Sequence, residues 1–415
     1  MIYWAITLLG CLSFFNYVIS NNILYPPLLF SAIWLLNLIG LVLSGSTFYP
    51  VTTGALLIYI FGAIFFSMGG LYALYLSGNN LNKCSFSEGR ILRVHKILDI
   101  ILLFTIACLP VYIMKIAHFV TISDYYVLAT LRKTSIEAST SSQRSFSIIN
   151  NLVVVSTFVA LAMHYENDGT TGRRWRSILA IIVAVLYGVF TGSKGWVLIF
   201  PTLAFLSFIV KKKVHFSTLA LVASVTLGLF GAGLLMINFI YSDAGNPLKT
   251  LEIIAKTIQN YWLGSLVAFN RVIETPESIA STQSLNRFFL ETANGFGASF
   301  DIPSLYPEYT QVSASGDNTN TYTIYFSYYK DFGWFGVILG MFGLGAGLSW
   351  VYRYSMQNYP IAVFVFATAA VGILLSFHAE HFMLALNYYV KLLVFYSFVY
   401  YVLTRKYCWK NTMNS

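Results

Sequence analysis

The sequence predicts an all-α polytopic membrane protein with about eleven membrane-spanning helices and one large outer loop. Three observations predict it. Only 10% of the 415 residues are charged and 57% are hydrophobic, whereas a soluble chain carries about 25% charged residues. Charged side chains are expensive in hydrocarbon, and none occurs before Lys83. Aromatic residues reach 17%, with 29 Tyr and 34 Phe, which suits helices anchored at membrane interfaces.

A span needs roughly 20 apolar residues, with a range of about 17–25. Windows of this kind lie near 2–20, 22–44, 53–76, 97–118, 149–166, 177–192, 196–210, 216–240, 334–352, 360–377 and 383–403. That makes eleven, and ten or twelve fit the same profile. The first window lacks a basic start and a small-residue cleavage site, so it reads as a span rather than a secretory signal. The chain therefore divides into 1–240, with about eight spans; 241–333, the large loop; and 334–415, with about three spans and a tail.

Short loops set the orientation. One side collects Lys83, Arg90, Arg93, Lys96, Arg173, Arg174, Arg176, Lys211, Lys212, Lys213, Arg353, Arg405, Lys406 and Lys410. The short loops of the other side hold Arg132, Lys133, Arg144 and Lys194. The basic side is expected in the cytoplasm, with the tail. The N-terminus and the 241–333 loop then lie outside, on the periplasmic face of a bacterial inner membrane. The net charge of +9 reads as this cytoplasmic bias, since no nucleic-acid motif accompanies it. Cys11, Cys84, Cys108 and Cys408 have neither metal spacing nor a place in the loop, so no disulfide framework is expected there.

Between the basic flanks RRWR (173–176) and KKK (211–213) an even number of crossings must fit. Two short helices turning at TGSKG (191–195) satisfy this. At about 1.5 Å per residue each barely spans a bilayer, so the turn should sit low. Lys194 would be held there beside glycines that admit a close ligand. It is a candidate for an anionic headgroup or diphosphate, or an interfacial lysine that snorkels.

Inside the large loop, 247–270 has apolar residues at helical spacing: Leu251, Ile254, Ile258, Trp262 and Leu266. Lys249, Glu252 and Lys256 occupy the other face, so the segment reads as a helix lying in the membrane interface. The loop as a whole then reads as a lid on the outer surface. Arg271 and Arg287 are its only arginines. Their planar forks suit phosphate oxygens, although ion pairs with Glu274, Glu277 or Glu291 are the plain alternative. FHAEHF (377–382) places His378, Glu380 and His381 between the last two spans. Side chains of these types move protons near neutral pH; an ordinary polar turn is the alternative. Lys330 and Asp331 read as structural anchors. There is no GxSxG, Walker motif, strand-following GxGxxG or paired DxD carboxylate, so nucleotide-dependent chemistry is not expected.

Three features resemble the bacterial O-antigen polymerases, the Wzy-type oligosaccharide repeat-unit polymerases. They are the short-helix turn VFTGSKGWVLIF (189–200), the large outer loop in the second half, and NTYTIYFSYYKDFGWFGVILG (320–340) leading into the next helix. Lys194 stands where that family more often has Arg. The resemblance implies a GT-C-like lipid-donor glycosyltransferase fold and a metal-independent reaction without a cofactor. In that reaction a glycan on undecaprenyl diphosphate passes to a second lipid-linked repeat unit on the periplasmic face. Donor and acceptor oligosaccharides, membrane lipids and a separate chain-length regulator are the implied partners. In this reading Lys194, Arg271 and Arg287 would bind the diphosphate, and His378, His381, Glu291 or Glu380 would serve as base. A flippase for lipid-linked oligosaccharides, and an O-antigen ligase of the same superfamily, are the competing readings.

Overall fold

A computed structural model of the chain describes residues 1–76, 88–119, 144–167, 171–190, 197–211, 252, 255–274, 284–300 and 309–402. These residues are predominantly helical, with almost no strand. In chain order the helices are α1 (Ile2–Ser20), α2 (Pro26–Leu43), α3 (Thr53–Leu76), α4 (Glu88–Phe119), α5 (Arg144–Tyr165), α6 (Thr171–Phe190) and α7 (Ile199–Lys211). They continue with α8 (Ser265–Glu274), α9 (Arg287–Gly295), α10 (Tyr325–Met356), α11 (Pro360–Leu374) and α12 (Leu386–Ser397). The strands β1 (Thr310–Gln311) and β2 (Asn318–Thr319) pair as a short antiparallel hairpin.

Five described helices are long and apolar enough to cross a bilayer: α1, α2, α3, Arg93–Met114 within α4, and α10. The apolar helices at Asn151–Tyr165, Ile199–Val210 and Pro360–Leu374 are shorter. The chain is a multi-pass helical membrane protein. The span expected at 216–240 and the turn at 191–195 lie outside the described residues.

The chain divides into two compact units. The first comprises Met1–Asn82, Ala255–Gln357 and Thr368–Val390. Its centre is the contact of α3 with α10. A Cβ on Gly69 would collide with the carbonyl of Phe342, and one on Gly345 with the carbonyl of Phe66. Lipid tails are as apolar as leucine, so helices in a bilayer associate largely through such close backbone packing. Tyr325 fills the space over Gly62 and stacks among Trp34, Tyr59 and Phe269. Its hydroxyl donates to the Tyr59 carbonyl at 3.2 Å. Near one end of the same pair, Arg353 donates to the Leu74 carbonyl at 2.9 Å.

Helix α10 kinks at Gly333, whose φ of 61° and ψ of −147° suit glycine. The span expected from residue 334 begins where the kink ends. The turn before it, Tyr325–Tyr328, is buried in the core.

The interfacial helix expected over 247–270 is corrected for its end, residues 263–270; residues 247–251, 253 and 254 lie outside the described residues. The described part is helical from Ala255, with a π-helical turn at Asn260–Gly264. From Leu263 to Val272, however, all but Arg271 are buried within the protein. The Tyr59 hydroxyl donates to the Leu266 carbonyl at 2.8 Å. The Asn270 amide oxygen accepts from both the backbone and the hydroxyl of Thr52. Helical periodicity is the same whether the apolar face meets lipid or protein, and here protein covers it.

The second unit comprises Lys83–Ile254, Asn358–Ala367 and Lys391–Ser415. In it Tyr187 donates to the Thr105 carbonyl at 2.7 Å, Arg176 pairs with Asp99 at 2.8 Å, and Tyr396 stacks on Phe364 at 3.8 Å.

The close approach of α3 and α10 makes a prediction. Gly69→Val and Gly345→Val should each overpack the contact and cost about 1–3 kcal/mol or more. Gly343→Val, where a Cβ meets nothing, should be near neutral. Thermal unfolding in detergent measures the difference.

Candidate functional site

The connector between α11 and α12, residues 375–385, holds three of the sequence-predicted residues: His378, Glu380 and His381. Tight turns shape it. The His378 and Ala379 amides both donate to the Leu375 carbonyl, at 2.8 and 3.2 Å. Two outside donors fix its start: Ile324 N–H bonds to the Ser376 carbonyl at 2.7 Å, and the Ser265 hydroxyl to the Phe377 carbonyl at 2.6 Å. The connector is therefore fastened both to the start of α10 and to α8.

Glu380 is 5% exposed. Its Oε1 accepts from Phe382 N–H at 3.0 Å and faces the Tyr328 hydroxyl at 3.4 Å, and its Oε2 accepts from Leu384 N–H at 2.7 Å. Burial raises its pKa, and these donors oppose the rise. Both oxygens satisfy backbone amides ahead of α12, a structural duty that sequence alone did not assign.

The rings of His378 and His381 lie 6.4 Å apart, and Tyr261 lies 5.6 Å from His378. The histidines sit on an irregular turn rather than on one helical face. His381 packs against Gly372, and its Nε2 is buried with no hydrogen-bond partner. Burial, reinforced by the neighbouring His378, lowers its pKa from 6.5 to about 4.

The arginines have near neighbours of opposite charge. Arg271 pairs with Glu274 at 3.2 Å, one turn along α8, and its guanidinium lies 4.4 Å over the Tyr49 ring. Arg287 Nε donates to Glu291 Oε1 at 2.7 Å along α9. Glu291 thus belongs to an ion pair. Their side chains remain 42% and 21% exposed. Lys194 lies outside the described residues, as does Lys249.

No family model, characterised protein or solved structure matches this chain.

Two further acidic residues hold elements near these groups; sequence reading expected a role for Asp331 and missed that of Asp317. Asp331 accepts from Leu285 N–H at 3.0 Å and so holds the turn that starts α9, which fits the anchoring role expected of it. Asp317 organises the β1–β2 hairpin: it accepts from Ser313 and Ser315 at 2.7 Å each and pairs with Lys256 at 2.9 Å. Lys256 is exposed, as expected of a solvated face, and also ties its helix to the hairpin. Partial burial of Asp317 pushes its pKa up, but the bonds from Lys256, Ser315 and Ser313 and the Lys256 charge outweigh this and lower it to about 2. Ser313 and Ser315 are local to Asp317, but Lys256, and Leu285 for Asp331, stand too far away in sequence for local spacing to expose. Among the described residues, no group of three or more His, Cys, Asp or Glu side chains is arranged to hold a metal ion.

Two pH dependences are expected. His381 binds its proton more weakly when folded, so the unfolded chain holds the extra proton between pH about 6.5 and about 4. Stability should fall across that window on acidification, and His381→Asn should flatten the fall in detergent melts. Asp317 contributes stability above its ordinary value of 3.8 and loses it as pH falls through about 2. Asp317→Asn should therefore destabilise at neutral pH by on the order of 1 kcal/mol, with Lys256 half exposed. Hydrogen exchange should show the loss concentrated in residues 309–324.

Proposed function

We propose that the chain is a membrane glycosyltransferase that polymerises oligosaccharide repeat units carried on undecaprenyl diphosphate. It acts at the periplasmic face of the bacterial inner membrane and makes O-antigen or a related surface polysaccharide. One observation carries this reading. A single unit holds two partly exposed arginines on helices of the non-spanning segment together with a connector bearing two histidines. The motif resemblance at 189–200 and 320–340 adds to it.

The chemistry asks for two things. The bond between the anomeric carbon and the diphosphate oxygen breaks, and its electron pair leaves with undecaprenyl diphosphate. Cations that meet this growing charge lower the barrier. Arg271 and Arg287 can exchange a carboxylate partner for phosphate oxygens of the same geometry. Lys194 would add a third charge. The acceptor hydroxyl forms the new bond to the anomeric carbon and gives up its proton.

Four candidate bases are available to take that proton. Glu380 spends both oxygens on backbone amides, Glu291 is paired with Arg287, and buried His381 has weak proton affinity. We assign the proton to His378. Donor and acceptor are both lipid-linked oligosaccharides, and a separate chain-length regulator accompanies the enzyme.

Deletion and complementation test this. Wild-type protein should restore a ladder of long chains. His378→Ala should leave a single capped repeat unit, a loss of about 100-fold or more in extension. Arg271→Ala and Arg287→Ala should shorten chains, with immunoblots of membranes showing normal insertion. Long chains made without the gene overturn the reading. Purified protein that moves lipid-linked oligosaccharide across liposomes without extending it would make the chain a flippase. Accumulation of finished polymer on its carrier in the deletion strain would make it a ligase.

A further inference from the structure

We infer that residues Arg287–Phe300 form a bilayer-surface anchor, whose Phe289, Phe296 and Phe300 rings sit at the headgroup–acyl boundary. This inference needs only that the chain spans a membrane and is independent of the proposed reaction.

The three rings are the starting point. Phe289 is 56% exposed, Phe296 89% and Phe300 54%. Leaving a phenylalanine in water rather than burying it forgoes about 1.5–3 kcal/mol. Yet the backbone presents these rings in a fixed arrangement. Asn294 clasps Phe300 with two hydrogen bonds, Nδ2 to the Phe300 carbonyl at 2.8 Å and Oδ1 from its N–H at 2.7 Å. Gly297 turns the chain with φ of 103°, and Ala298 N–H returns to the Ala293 carbonyl at 3.1 Å. Two aromatic rings are thus held at the ends of a short, closed turn.

The position of this turn favours lipid as its occupant. Asp331 ties Leu285, two residues ahead of α9, to the end of α10 just before the Gly333 kink. Phe332, just before that kink, and Phe335 and Leu339, beyond it on the spanning part of α10, are exposed at 58%, 76% and 68%. The outward rings of α9 and its turn therefore start from the edge of a lipid-facing aromatic surface. Aromatic rings at such an edge lie at headgroup level, and a short amphipathic helix beside it lies in the interface plane. Arg287, paired with Glu291, would sit at the phosphate level. The inferred interfacial element thus lies at 287–300.

Photolabelling of the native full-length chain tests this. The protein is reconstituted in phosphatidylethanolamine–phosphatidylglycerol vesicles carrying a phosphatidylcholine with a diazirine near its glycerol backbone, and labelled residues are mapped by mass spectrometry. Labelling of 288–300 comparable to that of 332–339 is expected, with a severalfold loss in a Phe296→Ser/Phe300→Ser variant. Absence of lipid labelling at 288–300 while 332–339 is labelled overturns the inference. If a soluble photoreactive oligosaccharide then labels 288–300 instead, the rings are a glycan-stacking platform. Lipid labelling upholds the anchor whether or not the sugar probe also reacts.

Discussion

Backbone-to-backbone contact between α3 and α10 governs the first unit. Gly69 and Gly345 let each helix place a carbonyl where a side chain would otherwise stand. That approach brings Gly62 under Tyr325, and Tyr325 in turn closes the aromatic core with Trp34, Tyr59 and Phe269. Tyr59 then faces two ways. Its carbonyl accepts from Tyr325 and its hydroxyl donates to Leu266. One residue on a spanning helix thereby fixes both the entry to α10 and the helix that carries Arg271. The non-spanning segment is not a separate module resting on the bundle; part of it belongs to the core of the bundle.

This interlocking explains what the sequence could and could not reveal. Long apolar runs depend on bilayer thickness alone, so α1, α2, α3 and α10 were legible from composition. The restart of α10 at residue 334 was legible too, because FGWFG marks both a glycine and a change of environment. The fate of 247–270 was not legible. Leu263, Leu266 and Phe269 occur at the spacing that either lipid or protein would select. Distant partners such as Tyr59 and Thr52, some two hundred residues earlier, decide between them. The reverse holds for 287–300. The outward presentation of its aromatic residues depends on the Asn294 clasp and the Asp331 tie, and neither has a local signature.

The candidate site divides along the same line. The ion pairs of Arg271 and Arg287 fall at i,i+3 and i,i+4 and were readable as helical neighbours. Glu380 shows the opposite. A glutamate between two histidines suggests proton transfer, yet its oxygens bind the amides of Phe382 and Leu384. A carboxylate that closes a turn this way holds the histidines in place through the chain, as a positioning residue. Long-range partners chose that role, since Ser265 and Ile324 fix the connector from outside.

The pairing of each arginine has a consequence for the proposed chemistry. A guanidinium near hydrocarbon and without a counterion would pay a large desolvation cost. A carboxylate one helical turn away holds the charge cheaply, because exposed pairs of this kind are worth at most about 1 kcal/mol. A diphosphate offers the same fork geometry with more negative charge, so displacing Glu274 or Glu291 costs little. The displaced carboxylate stays nearby and can recapture the arginine when undecaprenyl diphosphate departs. Weak, local ion pairs are thus better suited to a repeating transfer than unpaired cations, which would hold the product.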